Sequence, residues 1–265
     1  MKMDFNAADW PLDHLAESTQ ASGRVINDCT NHQKPKLLKS LPPGLLGELV
    51  EYFYVNLGRP IYEVALVAAL AFIAGLAGRA FNISETGLNI YLILLGKTGI
   101  GKEGLSKSID RILIYLVPHI PDAHRFLVSS AASGQALIGE LAERKCMLSL
   151  WGEVGFLIRR ITDPRANSAD LKMLEVFLSS YSKSGFGQRL AGLSYADKTK
   201  NIADILAPSF SFVGESTVES CLEPLGEEHI QSGFLTRTSF IFAGDQRPPW
   251  NRYRCEPPER LISTL

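Results

Sequence analysis

Seven residues, Gly96-Lys97-Thr98-Gly99-Ile100-Gly101-Lys102, satisfy the spacing Gly-x-x-x-x-Gly-Lys. The chemistry this spacing serves is the holding of phosphate. Glycines let the backbone curl so that successive N–H groups face one anion. A helix that starts directly after the turn adds positive potential at the same point. Lys102 is expected to neutralise the β- and γ-phosphates of a nucleotide, with Gly96 to Lys102 and Glu103 forming the cradle. Glu103 stands where a Ser or Thr ordinarily contacts Mg²⁺, so this position departs from the pattern.

Other residues could complete such chemistry, which needs a metal ligand, a group that polarises water, a phosphate sensor and a charge for the transition state. The apolar run 146–151 ends in Gly152-Glu153. Glu153 can orient an attacking water, or it can simply cap the following helix. Gly152 brings no carboxylate to the metal. Two accounts stand: the Glu103 carboxylate replaces it and serves Mg²⁺ as an oxygen ligand, or hydrolysis is lost and a nucleotide-binding scaffold remains. The run 209–213 ends in Gly214-Glu215-Ser216-Thr217, where Glu215, Ser216 or Thr217 could sense the γ-phosphate. Ser216 is equally explained as a helix cap. Arg237 precedes the last apolar run and could donate two parallel hydrogen bonds to a phosphate held by a neighbouring subunit. A surface arginine is the plainer alternative. The stretch 185–201 suggests a hairpin around Tyr195–Lys198, and Arg189, Lys198 and Lys200 outnumber Asp197 within it. Such a hairpin could grip single-stranded nucleic acid or be an ordinary solvated turn.

The elements that must carry these residues are set by hydrophobic period. Strands are expected over 90–95, 125–128, 146–151, 210–213 and 238–243. Helices are expected over 102–116, 134–144, 153–161 and 169–181, with Ser133 capping the second and Ser216 to Glu219 forming a capping box for a later helix. Continuous apolar strands alternating with helices mean an α/β fold, a parallel sheet covered on both faces. Residues 1–40 are polar, without period, and read as an arm or linker. Residues 41–88 read as a helical lead-in, 89–245 as the P-loop core, and 246–265 as a tail in which the first turn of a lid helix begins.

Bulk composition narrows the classes. With 265 residues, 46% hydrophobic and 21% charged, the chain can bury a full core. A net charge of −1 gives no general attraction to DNA or anionic membrane, so any nucleic-acid site must be local. Cys29, Cys146, Cys221 and Cys255 are far apart, as are the five histidines His14, His32, His119, His124 and His229. This predicts a reduced intracellular protein with no zinc site. The N-terminus lacks the apolar core of a signal peptide, so a cytoplasmic location is expected. The apolar run 64–78 is shorter than the roughly 20 residues a membrane crossing requires and predicts a helix buried inside the domain.

Five features occur in order: Leu41-Pro42-Pro43-Gly44-Leu45-Leu46-Gly47; an alanine-rich helix ending in Gly78-Arg79; the loop from Gly96 to Lys102; Trp151-Gly152-Glu153-Val154-Gly155; and Gly233-Phe234-Leu235-Thr236-Arg237. Over residues 41–245 this set resembles the phage- and plasmid-type replicative helicases often joined to primases, related to superfamily-3 and AAA+ (RecA-like) P-loop ATPases. The resemblance implies a ring, a hexamer of identical chains, with ATP and Mg²⁺ between subunits and single-stranded DNA in the pore. It makes Lys102 the phosphate lysine, gives acidic duty to Glu153 and makes Arg237 the trans-acting arginine. No primase motif occurs here, so priming would belong to another segment or to replication partners. The alternative expectation is a nucleotide-binding regulator or loader with weak or no hydrolysis.

Overall fold

Apolar stretches short enough to be strands alternate with stretches of helical period, and the computed structural model assembles them into three layers. It describes residues 32–265 apart from Ser129 and Pro224. In chain order the elements are α1 (Gly44–Asn56), α2 (Tyr62–Ala77), β1 (Asn82–Ile83), β2 (Thr86–Gly87), β3 (Tyr91–Leu95), α3 (Gly104–Leu116), β4 (Leu127–Val128), α4 (Gly134–Arg144) and β5 (Cys146–Trp151). They continue with α5 (Gly155–Thr162), α6 (Ser168–Ser182), β6 (Arg189–Leu190), β7 (Ile205–Leu206), β8 (Ser209–Ser216), α7 (Val218–Cys221), α8 (Glu227–Gln231), β9 (Ser239–Phe242) and α9 (Glu259–Thr264).

Five strands form one sheet in the order β4-β5-β8-β3-β9, with every pairing parallel. The expected α/β architecture is therefore what forms. All five residues of β3 are buried, which is the continuous apolar run a doubly covered strand demands. Its side chains divide between the two faces. Leu92 and Leu94 join α1, α2 and α3 in one core, with Phe53, Phe72, Ile109 and Leu148. Tyr91, Ile93 and Leu95 join α4, α5 and α6 in the other, with Phe177, Phe210, Phe212 and Phe234. Tyr91 centres the second core, with edge-on rings on several sides and its hydroxyl donated to the Phe177 carbonyl at 2.6 Å.

Residues 41–88 contain α1, α2, β1 and β2. Helices α1 and α2 are themselves one outer layer, in the same core as the sheet. Leu261 of α9 is fully buried in that core too, so the C-terminal segment folds back onto α1. The apolar run 64–78 lies within α2 and its C-cap Gly78, and the buried residues of the helix include Val64, Ala68, Phe72 and Gly75, as expected of an internal helix. Among the described residues no helix is long and apolar enough to cross a membrane. Of the expected arm, residues 1–31 lie outside those described. Residues 32–40 run along α1 and α2, where Lys34 pairs with Glu51 at 2.9 Å and Lys39 pairs with Glu63.

Several element ends shift for local reasons. Helix α3 starts at Gly104 instead of 102, because residues 101–103 stay in a turn with Gly104 N–H donated to the Gly101 carbonyl at 3.1 Å. The helix expected from 153 starts at Gly155, whose N–H is donated to the Glu153 side chain at 3.0 Å. Ser133 caps α4 as expected, accepting from Ala136 N–H at 3.2 Å.

Helix α2 crosses β5 at Gly75, where an added Cβ would meet Leu148 Cβ at 2.7 Å and the Phe126 ring at 2.8 Å. Neither atom is the free end of a flexible chain, so helix and sheet must part to admit one. Gly75→Val is expected to cost about 2 kcal/mol of stability in urea unfolding, whereas Leu76→Ala, at a 38% exposed neighbour, should stay within about 0.5 kcal/mol.

Candidate functional site

Parallel pairing fixes which residues share the carboxyl edge of the sheet. Register aligns Leu95 of β3 with Ser216 of β8 and with Phe242 of β9, and Trp151 of β5 with Gly214. The residues at and just beyond these strand ends therefore converge: Gly96 to Glu103, Gly152-Glu153, the Glu215-Ser216-Thr217 tip, and Gly244-Asp245. Backbone bonds lock the convergence. Gly96 N–H is donated to the Ser216 carbonyl at 3.1 Å, and Val154 N–H to the Glu215 carbonyl at 3.0 Å. Of the sequence-predicted residues, Gly96 to Glu103, Glu153, Glu215 and Ser216 are thus brought together.

The turn has the shape its glycines permit. Gly99 has φ +72° and Gly101 φ +121°, regions costly for any side chain. Among the described residues' hydrogen bonds, none gives the N–H groups of Gly99, Gly101 or Lys102 a protein acceptor; within the turn only Ile100 N–H is tied back, to the Lys97 carbonyl at 3.3 Å. The half-buried Lys102 ammonium donates to the Gly96 carbonyl across the loop. Lys97 reaches Asp245 at 3.1 Å, joining the loop to the residue beyond β9.

Glu153 is held on one oxygen. Its Oε1 accepts from Ser216 Oγ at 2.6 Å, from Gly155 N–H at 3.0 Å and from Ser220 Oγ at 3.4 Å. The Ser216 hydroxyl does not cap the following helix, as one of its two sequence readings expected. Ser216 ends β8 and orients Glu153, while Thr217 is the cap of α7, accepting from Ser220 N–H at 3.1 Å. Strand β8 runs three residues past the expected end at 213, which moves the cap from Ser216 to Thr217.

Charge is unbalanced at this edge. Burial lowers the pKa of Lys102, opposed by Glu215, Glu153, Glu219 and Glu103 around it. Burial pushes the half-buried Glu215 carboxyl up to about 7; Lys102 opposes this, and Glu103 and Glu153 reinforce it. Glu103 itself is exposed at the start of α3 and makes no cap with its side chain. No group of three or more His, Cys, Asp or Glu able to hold a metal occurs among the described residues. Magnesium needs no such group, since it binds through one or two carboxylates with phosphate oxygens and water. Glu103 is an exposed carboxylate at this edge that could hold such an ion.

Beside Glu153 an open cavity of about 670 Å³ is lined by Trp151, Phe156, Arg159, Arg160 and His229, among others. The Arg159 guanidinium lies 4.7 Å from the Phe156 ring centre.

Arg237 lies elsewhere. It closes the turn Leu235–Arg237 before β9, with Nη1 donated to the Gly233 carbonyl at 2.8 Å. Pairing of Leu92 with Ser239 puts it at the amino edge of the sheet, opposite the loop, so the two do not meet within one chain. The expected hairpin forms. Strands β6 and β7 pair antiparallel, and Leu193 bridges Ile202. Its charge is less free than the sequence suggested, because Arg189 pairs with Asp204 on the returning arm and Lys200 with Asp197 at 3.6 Å. Lys198 is exposed at the tip.

Sequence reasoning missed Ser220, Glu219 and Asp245. Asp245 had a usable signal, a polar residue just past a strand next to the loop strand, where ligands of open α/β sheets gather. Comparison with protein-family models and with curated proteins found no match.

The Glu215 carboxyl is held above its ordinary value of 4.5. The folded state therefore favours its neutral form, and this stabilisation is full below pH 4.5 and lost as pH rises through 7. Thermal melting should show the wild-type protein losing on the order of 1–2 kcal/mol between pH 5 and pH 8. Glu215→Gln should flatten that part of the profile; an unchanged profile would mean Glu215 ionises freely.

Proposed function

We propose that the chain is a P-loop ATPase that works as a ring of identical subunits, the motor of a replicative helicase of phage or plasmid type. One observation carries the reading: the sheet register that sets the Gly96–Lys102 loop beside Glu153 and the Glu215-Ser216 tip.

In this reading the open N–H groups of Gly99, Gly101 and Lys102 bind the phosphates of ATP, and Lys102 exchanges the Gly96 carbonyl for the β- and γ-phosphate oxygens. A magnesium ion would supply positive charge to the phosphates there. Glu103 would supply its carboxylate. All three bonds on Glu153 fall on Oε1, which leaves Oε2 to accept a proton from the attacking water and aim it at the γ-phosphate. Ser216 thereby acts through Glu153. Arg237, at the far edge of its own sheet, serves the nucleotide of a second copy. Its guanidinium would leave the Gly233 carbonyl to do so. Single-stranded DNA is the proposed track, gripped by the 185–206 hairpin through Lys198, with Arg189 and Lys200 contributing if their ion pairs open.

A second reading has its own support. Gly152 carries no carboxylate, and a nucleotide-binding regulator or loader without sustained turnover needs none.

Two variants separate these. Lys102→Ala should abolish measurable ATP binding in calorimetry. Glu153→Gln should bind ATP as the wild type does and lower phosphate release by about 10²–10⁴-fold. Wild-type binding with no turnover above the Glu153→Gln level, with or without single-stranded DNA, would select the regulator. Unaltered binding by Lys102→Ala would end the P-loop reading.

A further inference from the structure

Next to the phosphate loop, the turn between α1 and α2 carries a construction that phosphate binding does not use. An added Cβ at Gly101 would meet Arg59 Cβ at 2.9 Å, so Arg59 lies directly on the backbone of the loop. Arg59 is held from the other side, donating from Nη1 to the Pro248 carbonyl at 2.6 Å, and its guanidinium carbon lies 5.6 Å from the Trp250 ring centre. The Trp250 indole lies over Gly58, where an added Cβ would meet Cη2 at 2.7 Å. The segment bearing it is pinned. Asn251 N–H is donated to the Gly58 carbonyl at 2.8 Å, and its side-chain amide reaches the Val55 and Leu57 carbonyls at 2.8 and 2.9 Å. Upstream, Asp245 is paired with Lys97 of the loop itself.

Despite these anchors Trp250 is 59% exposed. A tryptophan placed only to fill space would be covered; this one is oriented by its neighbours and left open beside the loop. An indole in contact with a guanidinium is a surface on which a flat heteroaromatic ring stacks. We propose that Trp250, braced by Arg59 against Gly101, is the platform for the base of a bound nucleotide, and that it selects purines over pyrimidines without distinguishing adenine from guanine. The selectivity comes from the polar groups. The Asn251 side-chain amide and Nη1 of Arg59 are spent on backbone carbonyls, and the guanidinium lies against the indole, so the platform reads ring area more than base edges. The inference rests on the phosphate-loop reading, since the base must extend from phosphates held there.

The test is a set of calorimetric titrations of the intact protein with Mg²⁺ and ATP, GTP, CTP, UTP or inorganic tripolyphosphate. ATP and GTP should bind within about threefold of each other, and about tenfold more tightly than CTP, UTP and tripolyphosphate. Trp250→Ala should bring both purines to the tripolyphosphate level, and Trp250→Phe should retain most of the preference. An ATP advantage unchanged in Trp250→Ala, or a tenfold gap between ATP and GTP, overturns the proposal. Should Trp250→Ala fail to fold, Trp250 emission in the double variant W10F/W151F decides. Quenching by ATP but not by tripolyphosphate supports the platform, and no quenching by bound ATP overturns it. Failure of the underlying reading looks different: Lys102→Ala would then leave tripolyphosphate binding untouched.

Discussion

The parallel register of β3, β5 and β8 is the constraint on which the site depends. A parallel ladder spaces its bonds evenly and sends every strand out at the same edge. The loops that leave neighbouring strands must therefore meet one another there. Buried side chains on both faces hold the register, because a slip of one residue would turn Leu92 and Leu94 into the core that now holds Tyr91, Ile93 and Leu95. The same packing that makes the domain stable thus fixes Glu153 and the Glu215-Ser216 tip beside the loop.

At that edge one half-buried lysine faces four carboxylates, those of Glu103, Glu153, Glu215 and Glu219. Glu215 meets the excess by holding its proton up to about pH 7. Lys102 meets it only in part and spends a hydrogen bond on the Gly96 carbonyl. Under the proposed function, a polyphosphate arriving with its own divalent cation would meet this excess, which gives the departure at Glu103 a physical sense.

Much of this was legible in the sequence because it rested on local pattern. The glycine spacing before Lys102 specified the loop, continuous apolar runs specified buried parallel strands, and Ser133 marked a helix start. What was not legible came from contacts across the chain. Ser216 reads as a candidate cap until β8 is seen to run on through residue 216, which gives the cap to Thr217 and turns the Ser216 hydroxyl to Glu153, 63 positions away. Arg189 looks like a free cation until Asp204 is brought opposite it by the hairpin. Helices α1 and α2 read as a lead-in because sequence order says nothing of which layer a helix joins. Arg59 and Trp250 gave no sequence signal at all, being brought together over 191 positions of chain.

The central claim is that the turn before Lys102 holds a triphosphate at a site the sheet register assembles. A crystal structure with Mg²⁺ and a non-hydrolysable ATP analogue tests it most directly. The account predicts phosphate oxygens on the N–H groups of Gly99, Gly101 and Lys102, with the Lys102 ammonium moved off the Gly96 carbonyl and a water between Glu153 Oε2 and the γ-phosphate. A nucleotide bound elsewhere, with Lys102 still folded back on Gly96, would contradict it.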